Sequence, residues 1–213
     1  MDDLFALFTH ARASLPLDAL AGLTLLSIFP FIAVMTTSFV RIVVVLSLVR
    51  SAIGSPTIPP SMVITGLAIV LTVLVMSPTI RTIQHDAIQP YVRGRLSQSA
   101  VVARAIEPLR TFMMRQTRSR DLALFARVAR RPSTELEVLI PAFVVGELRS
   151  AFAIGVALYL PFLAIDLAVA AILMSLGMMM LSPPIVSLPV KLLLFVTVDG
   201  WALVCSGVTT SFR

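Results

Sequence analysis

Long runs without charge constrain this chain more than any other feature of its sequence. No charged residue occurs from Ser51 to Ile80, and only five occur from Val138 to Phe212. About 20 apolar residues are enough for a helix to cross a hydrocarbon core of roughly 30 Å. The whole chain is 58% hydrophobic, against about 45–50% in soluble domains. The sequence therefore predicts an all-α, membrane-associated protein, with about four spans by hydropathy.

Prolines divide the apolar runs into shorter pieces. The uncharged run Leu167–Val190 has 24 residues, but its prolines limit the helical part to Leu167–Leu181, about 22 Å long. Such a piece is short for a span, so we expect a re-entrant hairpin of broken helices that is covered by protein or lines a cavity. The residues expected to break helices are Pro161, Pro183, Pro184 and Pro189.

Segment 81–137 carries the net charge of the chain. It contains eleven arginines and five acids, a net charge of +6, which equals that of the whole chain. Its apolar residues recur at helical spacing with arginine on the other face, and a polar stretch suggests two helices, the first ending near Thr117. This pair can lie on membrane lipid or pack against a partner or the rest of the chain. No aromatic platform interleaves the arginines, so nucleic acid is not expected as a partner.

These composition shifts suggest a single domain over residues 1–213. It would comprise an N-terminal apolar hairpin (1–80), a basic amphipathic helical pair (81–137) and a C-terminal apolar hairpin with a methionine loop (138–213). The first ten residues are compatible with a short amphipathic helix. They are acidic where a secretory signal peptide would be positive, so no signal peptide is expected.

No residue pattern indicates catalysis. Cys205 is the only cysteine, and the two histidines, His10 and His85, are far apart in the sequence. Phosphate-binding loops, nucleophile elbows and paired metal-ligand motifs are absent from the sequence. The sequence therefore predicts a protein that is not an enzyme, with no catalytic residue, metal or cofactor.

Charged residues within the C-terminal apolar runs need partners. Glu147 and Arg149 are two positions apart, so on a helix they do not face each other. Lys191 and Asp199 are about 12 Å apart along a helix, too far for direct contact. Each of these residues, and Asp166, must meet another segment or another subunit. We interpret them as assembly contacts; a proton or substrate relay, or exposure in a lumen or at an interface, is the alternative.

Three consecutive methionines, Met178, Met179 and Met180, precede the proline cluster. Methionine adapts to irregular gaps, so these side chains can simply fill a core. Copies of the same loop arranged around an axis would instead form a deformable apolar constriction that excludes water. The residues alone leave both interpretations open.

Four blocks of the sequence resemble, in the right order, the FliP/SctR export-gate proteins of type III secretion. The third of them contains the methionines, and the last reads "LPVKLLLFVTVDGW". The blocks are Val34–Pro78, Glu107–Ala129, Leu139–Pro184 and Leu188–Trp201.

The resemblance implies a pore subunit that conducts unfolded proteins across the bacterial inner membrane. It implies a homopentameric ring, formed with two other small export-gate membrane proteins beside a larger export-gate protein. The methionines at 178–180 would seal the pore, and Glu147, Asp166, Lys191 and Asp199 would be assembly contacts. "GMMMLSPP" looks closer to the injectisome, or virulence, branch than to the flagellar one, so the injectisome branch is favoured.

Two points remain open at the level of sequence. The arginines of segment 81–137 predict a cytoplasmic location, whereas the resemblance implies that the assembled gate lies partly on the periplasmic side of a multi-pass membrane protein. The alternatives to a pore subunit are a small secondary transporter, suggested by broken apolar segments with internal charges, and a proton channel that depends on Asp166.

Overall fold

The computed structural model describes residues 17–55, 57–178 and 180–212. They form helices and no strand, which confirms the all-α prediction. The first ten residues, with their expected amphipathic helix, lie outside the described residues. The helices are α1 (Leu17–Met35), α2 (Phe39–Ile53), α3 (Ser61–Ile83), α4 (Gln89–Val92), α5 (Gln98–Gln116), α6 (Ser119–Ala129), α7 (Leu136–Ser175), α8 (Pro183–Thr197) and α9 (Gly200–Thr210), with a π-helical turn at Gln84–Ile88.

The chain divides into two compact units. Helix α1 belongs to the first unit, and the residues from Thr36 onward form the second. In the second unit α2 is central and packs against α3, α7, α8 and α9. Its buried residues Ile42, Val45, Leu46 and Val49 follow i, i+3, i+4, i+7 spacing, which puts them on one apolar stripe of the helix.

The basic segment contains the expected helix pair. Helix α5 ends at Gln116 and α6 begins at Ser119, so the predicted boundary near Thr117 is confirmed. The hydroxyl of Ser97 accepts a hydrogen bond from the backbone N–H of Ala100 at the start of α5, as an N-cap residue does. A second, smaller core forms where this pair meets the start of α7, around Met113, Leu139 and Phe143.

Two of the predicted helix breaks are wrong. Helix α7 continues through Pro161 for 40 residues, about 60 Å, and α8 continues through Pro189. A proline removes one backbone hydrogen bond, but membrane helices tolerate this loss where neighbouring groups compensate. The predicted short helix Leu167–Leu181 is therefore helical only to Ser175, and that part is the end of a long helix. The real break precedes Pro183 and Pro184, which occupy the first turn of α8, where proline fits.

Two helical stretches of the described residues are long and apolar enough to cross a membrane. They are Ser61–Val92, which joins α3 to α4, and Leu136–Ser175. Helices α8 and α9 pass the same criteria only as a pair, bent by 65°. Two or three candidate spans thus replace the four expected from hydropathy. One reason is that α2 has 15 residues, about 22 Å, which is short for a span.

Candidate functional site

The methionine loop connects α7 to α8 through residues 176–182. Gly177 has φ +71°, a left-handed conformation that glycine adopts without strain. Its N–H donates to the carbonyl of Met174, and the N–H of Met178 donates to that of Leu173. These bonds satisfy carbonyl groups at the end of α7, so the glycine turns the chain just before the methionines.

The described methionines of this loop are exposed in the isolated chain. Met178 is 44% exposed, Met180 is fully exposed, and Met179 lies outside the described residues. The flanking side chains Leu176 and Leu181 are also exposed, and the loop carries no charge. Met178 and Met180 therefore do not fill the core of their own chain. They belong to an exposed apolar tip, which is typical of a surface that another molecule covers.

An ion pair connects the two helices that carry the loop. The ammonium of Lys191 in α8 donates to Asp166 Oδ2 in α7 at 2.6 Å, and to the carbonyl of Ala52 at 3.4 Å. The hydroxyl of Ser187 donates to Asp166 Oδ1 at 2.5 Å. Both carboxylate oxygens of Asp166 are therefore occupied within the chain. This arrangement favours a structural role over a proton relay.

A second, more deeply buried pair joins α2 to α7. Arg41 Nε donates to Glu147 Oε2 at 2.9 Å, and Arg41 Nη2 donates to Oε1 at 2.5 Å. The two side chains are only 5% and 0% exposed. Arg41 Nη1 also donates to the backbone carbonyl of Ser211, and its guanidinium lies 3.9 Å from the centre of the Phe212 ring. Arg41 thus ties α2, α7 and the end of α9 together.

Sequence analysis did not identify Arg41. The available signal was its position, because Arg41 is one charge between the apolar residues Val40 and Ile42 in an apolar run. A charge in such a run requires a partner. Its partner Glu147 lies 106 positions away, and no local periodicity connects the two.

The remaining predicted residues have different surroundings. Arg149 Nη1 donates to both carboxylate oxygens of the buried Asp121 in α6, at 2.9 and 2.7 Å. Glu147 and Arg149 thus have different partners, as their spacing requires. Asp199 precedes α9 with φ 50°, and the described residues supply no partner to its side chain.

The ion pairs of Glu147, Arg149, Asp166 and Lys191 form within one chain. They therefore need no neighbouring subunit, and a role for any of these charges between subunits stays a prediction. Within the described residues, no group of three or more acidic, histidine or cysteine side chains could hold a metal ion.

Comparisons with known proteins agree on one family. The model of the FliP family matches residues 22–208. The chain is 47% identical to the flagellar biosynthetic protein FliP of Pectobacterium carotovorum, over 93% of this chain and 80% of that protein. It is 41% identical to the protein of the same name from Bacillus subtilis, over 99% of this chain and 98% of that protein.

A third relative is longer. The flagellar biosynthetic protein FliP of Buchnera aphidicola (subspecies Baizongia pistaciae) is 43% identical over 93% of this chain, which spans 57% of that protein. All three relatives are named as flagellar proteins, so the expected preference for the injectisome branch gains no support from them. The family match covers most of the chain, and the chain belongs to the FliP family.

Proposed function

We propose that this protein is a pore-forming subunit of a flagellar protein-export apparatus in the bacterial inner membrane. Family membership and the flagellar names of its relatives support the biological context. The observation that carries the pore role is the exposed, uncharged tip at which Met178 and Met180 stand. On this proposal the chain has no catalytic chemistry and provides a path for other proteins.

The methionine tip suits a seal between copies of the chain. Leaving exposed apolar side chains in water forgoes about 25 cal/mol for each Å² that could be buried. Thioether side chains are flexible and adapt to irregular neighbours. Several tips around an axis would exclude water when closed and would conform around an unfolded chain in transit.

The same proposal fixes the partners and the orientation. The seal requires a homo-oligomer, for which we propose a pentamer that assembles with two other small membrane proteins and a larger export-gate protein. The basic pair α5–α6 would lie on the periplasmic side, against the rule for arginine-rich loops. That rule describes helices left in lipid, whereas helices packed in an assembly need not follow it.

Serine substitution at the tip tests the pore role. In the bacterium that encodes the protein, the double variant Met178→Ser, Met180→Ser would replace the chromosomal copy. We expect either a dissipated membrane potential, measured with a potential-sensitive dye, or loss of flagellar subunits from the culture medium. Polar side chains would either let water and ions pass or fail to accommodate the exported chain.

Met62→Ser is the matched control, because Met62 is 85% exposed at the start of α3 and loses the same thioether. We expect the control to leave both readouts unchanged. Immunoblots of purified membranes verify that the variants accumulate equally. Normal export together with a normal membrane potential in the double variant would contradict the pore role.

A further inference from the structure

A groove far from the methionine tip has the composition of a lipid site. It has a volume of about 840 Å³ and lies between α3, α5 and the residues that end α9. This volume falls within the range of small-molecule sites, about 300–1,000 Å³. Its apolar lining includes Leu74, Pro78, Phe112 and Phe212. Its polar lining includes two arginines of α5, Arg104 and Arg115.

The groove crosses the boundary between apolar and charged sequence on α3. Helix α3 begins at Ser61 and has no charge before Arg81; these 20 residues span about 30 Å, the thickness of a hydrocarbon core. Leu74 and Pro78 lie on the apolar side of that boundary, and Thr82 lies on the other. A ligand in the groove would therefore meet an apolar wall at one level and polar groups at the next, which suits an amphiphile.

The two arginines of the groove favour an anion. Neither acid of the lining pairs with them, because Asp86 Oδ1 lies 2.6 Å from His85 Nδ1 and Glu107 Oε2 lies 3.6 Å from Arg110 Nε. Arg104 and Arg115 have no hydrogen bond or ion pair with any described residue. Guanidinium groups bind phosphate oxygens with paired N–H donors. The groove thus offers two unpaired cations beside an apolar surface.

We propose that this groove binds an anionic phospholipid, with an acyl chain along the apolar wall and phosphate at the arginines. Arg104 and Arg115 are 11 positions apart on α5, which is about 16 Å of helix on nearly the same face. They therefore mark two separate phosphate positions, farther apart along the helix than the two phosphates that one glycerol joins in diphosphatidylglycerol. Phosphatidylglycerol should bind more tightly than the zwitterionic phosphatidylcholine.

A second copy of the chain fits the groove less well. Segment 81–137, which contributes α5 to the groove, carries a net charge of +6. In the proposed ring, different faces of neighbouring copies meet. If the neighbour's segment 81–137 met the groove, arginine would lie against arginine, and like charges in contact are unfavourable. Anionic lipid instead complements this charge.

Native mass spectrometry of the detergent-solubilised full chain can test the site. Each lipid is titrated into the protein, and the fraction of protein that retains lipid gives an apparent Kd. For phosphatidylglycerol we expect Arg104→Gln, Arg115→Gln to raise that Kd roughly 25-fold, about fivefold for each arginine. The charge-conserving variant Arg104→Lys, Arg115→Lys should keep most of the binding and also verifies that the site tolerates substitution.

The control variant Arg120→Gln, Arg127→Gln removes the same charge from exposed positions of α6 outside the groove. It should bind lipid like the unmodified chain. Equal losses in the groove and control variants would overturn the proposal, because binding would then follow total charge. Equal retention of phosphatidylcholine and phosphatidylglycerol would also overturn it. A third result would overturn it as well: the variant Arg104→Gln, Arg115→Gln binds lipid normally but no longer forms oligomers. The groove would then be an interface between copies of the chain.

Discussion

The Arg41–Glu147 region and the methionine loop differ in what the single chain does with side chains that are unfavourable in their surroundings. The first region pairs its buried charges within the chain, whereas the second leaves apolar side chains exposed. Around Arg41, one chain buries an ion pair and surrounds the guanidinium with a carboxylate, a backbone carbonyl and an aromatic ring. At the loop, the same chain leaves Met178 and Met180 exposed. Helix α7 connects the two regions, since it contains Glu147 and ends 28 positions later at Ser175, just before the loop, about 42 Å along the helix.

This contrast separates folding from assembly. A buried charge must be paired before a chain can be stable by itself, so the Arg41 region has to be complete within one subunit. Exposed apolar side chains are tolerated until a partner covers them. The comparison implies that substitutions near Glu147 act on the stability of each chain. Substitutions at the methionine tip should act on the assembled protein.

Removing the buried carboxylate should have the largest effect on stability. Glu147→Gln keeps the size of the side chain but leaves Arg41 without its counterion. Breaking a buried ion pair in this way costs about 3–5 kcal/mol. Chemical unfolding of the detergent-solubilised chain, followed by helical circular dichroism, would measure the lowered free energy of unfolding.

Glu137→Gln is the matched control on the same helix. Glu137 is 70% exposed and pairs with Arg131 at the surface, and such exposed pairs contribute little to stability. If the two variants lowered the free energy of unfolding equally, water would reach Glu147, and the first half of the comparison would fail. Adding Arg41→Met to Glu147→Gln should recover part of the loss, because the unpaired charge is then removed.

A smaller loss should follow from filling the close approach of α2 and α7. A Cβ added at Gly155 would meet the Leu48 side chain, with its Cβ and Cγ at 3.1 and 3.2 Å. Gly155→Ala should therefore lower the free energy of unfolding by about 1–3 kcal/mol, as overpacking does. In the same unfolding assay, Leu48→Ala in addition should offset part of this strain.

Gly66→Ala, the same substitution at another glycine, should raise the free energy of unfolding rather than lower it. Gly66 lies in α3, and a Cβ there would meet nothing within 4 Å. Alanine forms helix more readily than glycine, so this variant should be more stable by about 0.8–1 kcal/mol. Equal effects at the two glycines would mean that α2 and α7 do not approach closely at Gly155.

The sequence predicts local features of this fold better than the pairing of distant ones. Helical periodicity and a polar stretch were enough to place the boundary between α5 and α6. The spacing of Glu147 and Arg149 was enough to require different partners. Arg41 was missed because its partner is a matter of tertiary packing. The predicted breaks at Pro161 and Pro189 do not occur. Each proline removes only one backbone hydrogen bond, and the other hydrogen bonds of the helix are enough to keep it continuous.

The smallest effect on the isolated chain should come from the methionine tip. Met178 and Met180 are exposed in the folded chain, so Met178→Ser, Met180→Ser changes little between the folded and unfolded states. Its free energy of unfolding should stay within about 0.5 kcal/mol of the unmodified value, as for other surface substitutions. Met113→Ser makes the same exchange at a residue only 1% exposed, and losing a buried methionine side chain costs about 2–5 kcal/mol. If the tip variant were as unstable as Met113→Ser, the loop would pack within its own chain, and the distinction between a self-contained region and one completed by neighbours would be lost.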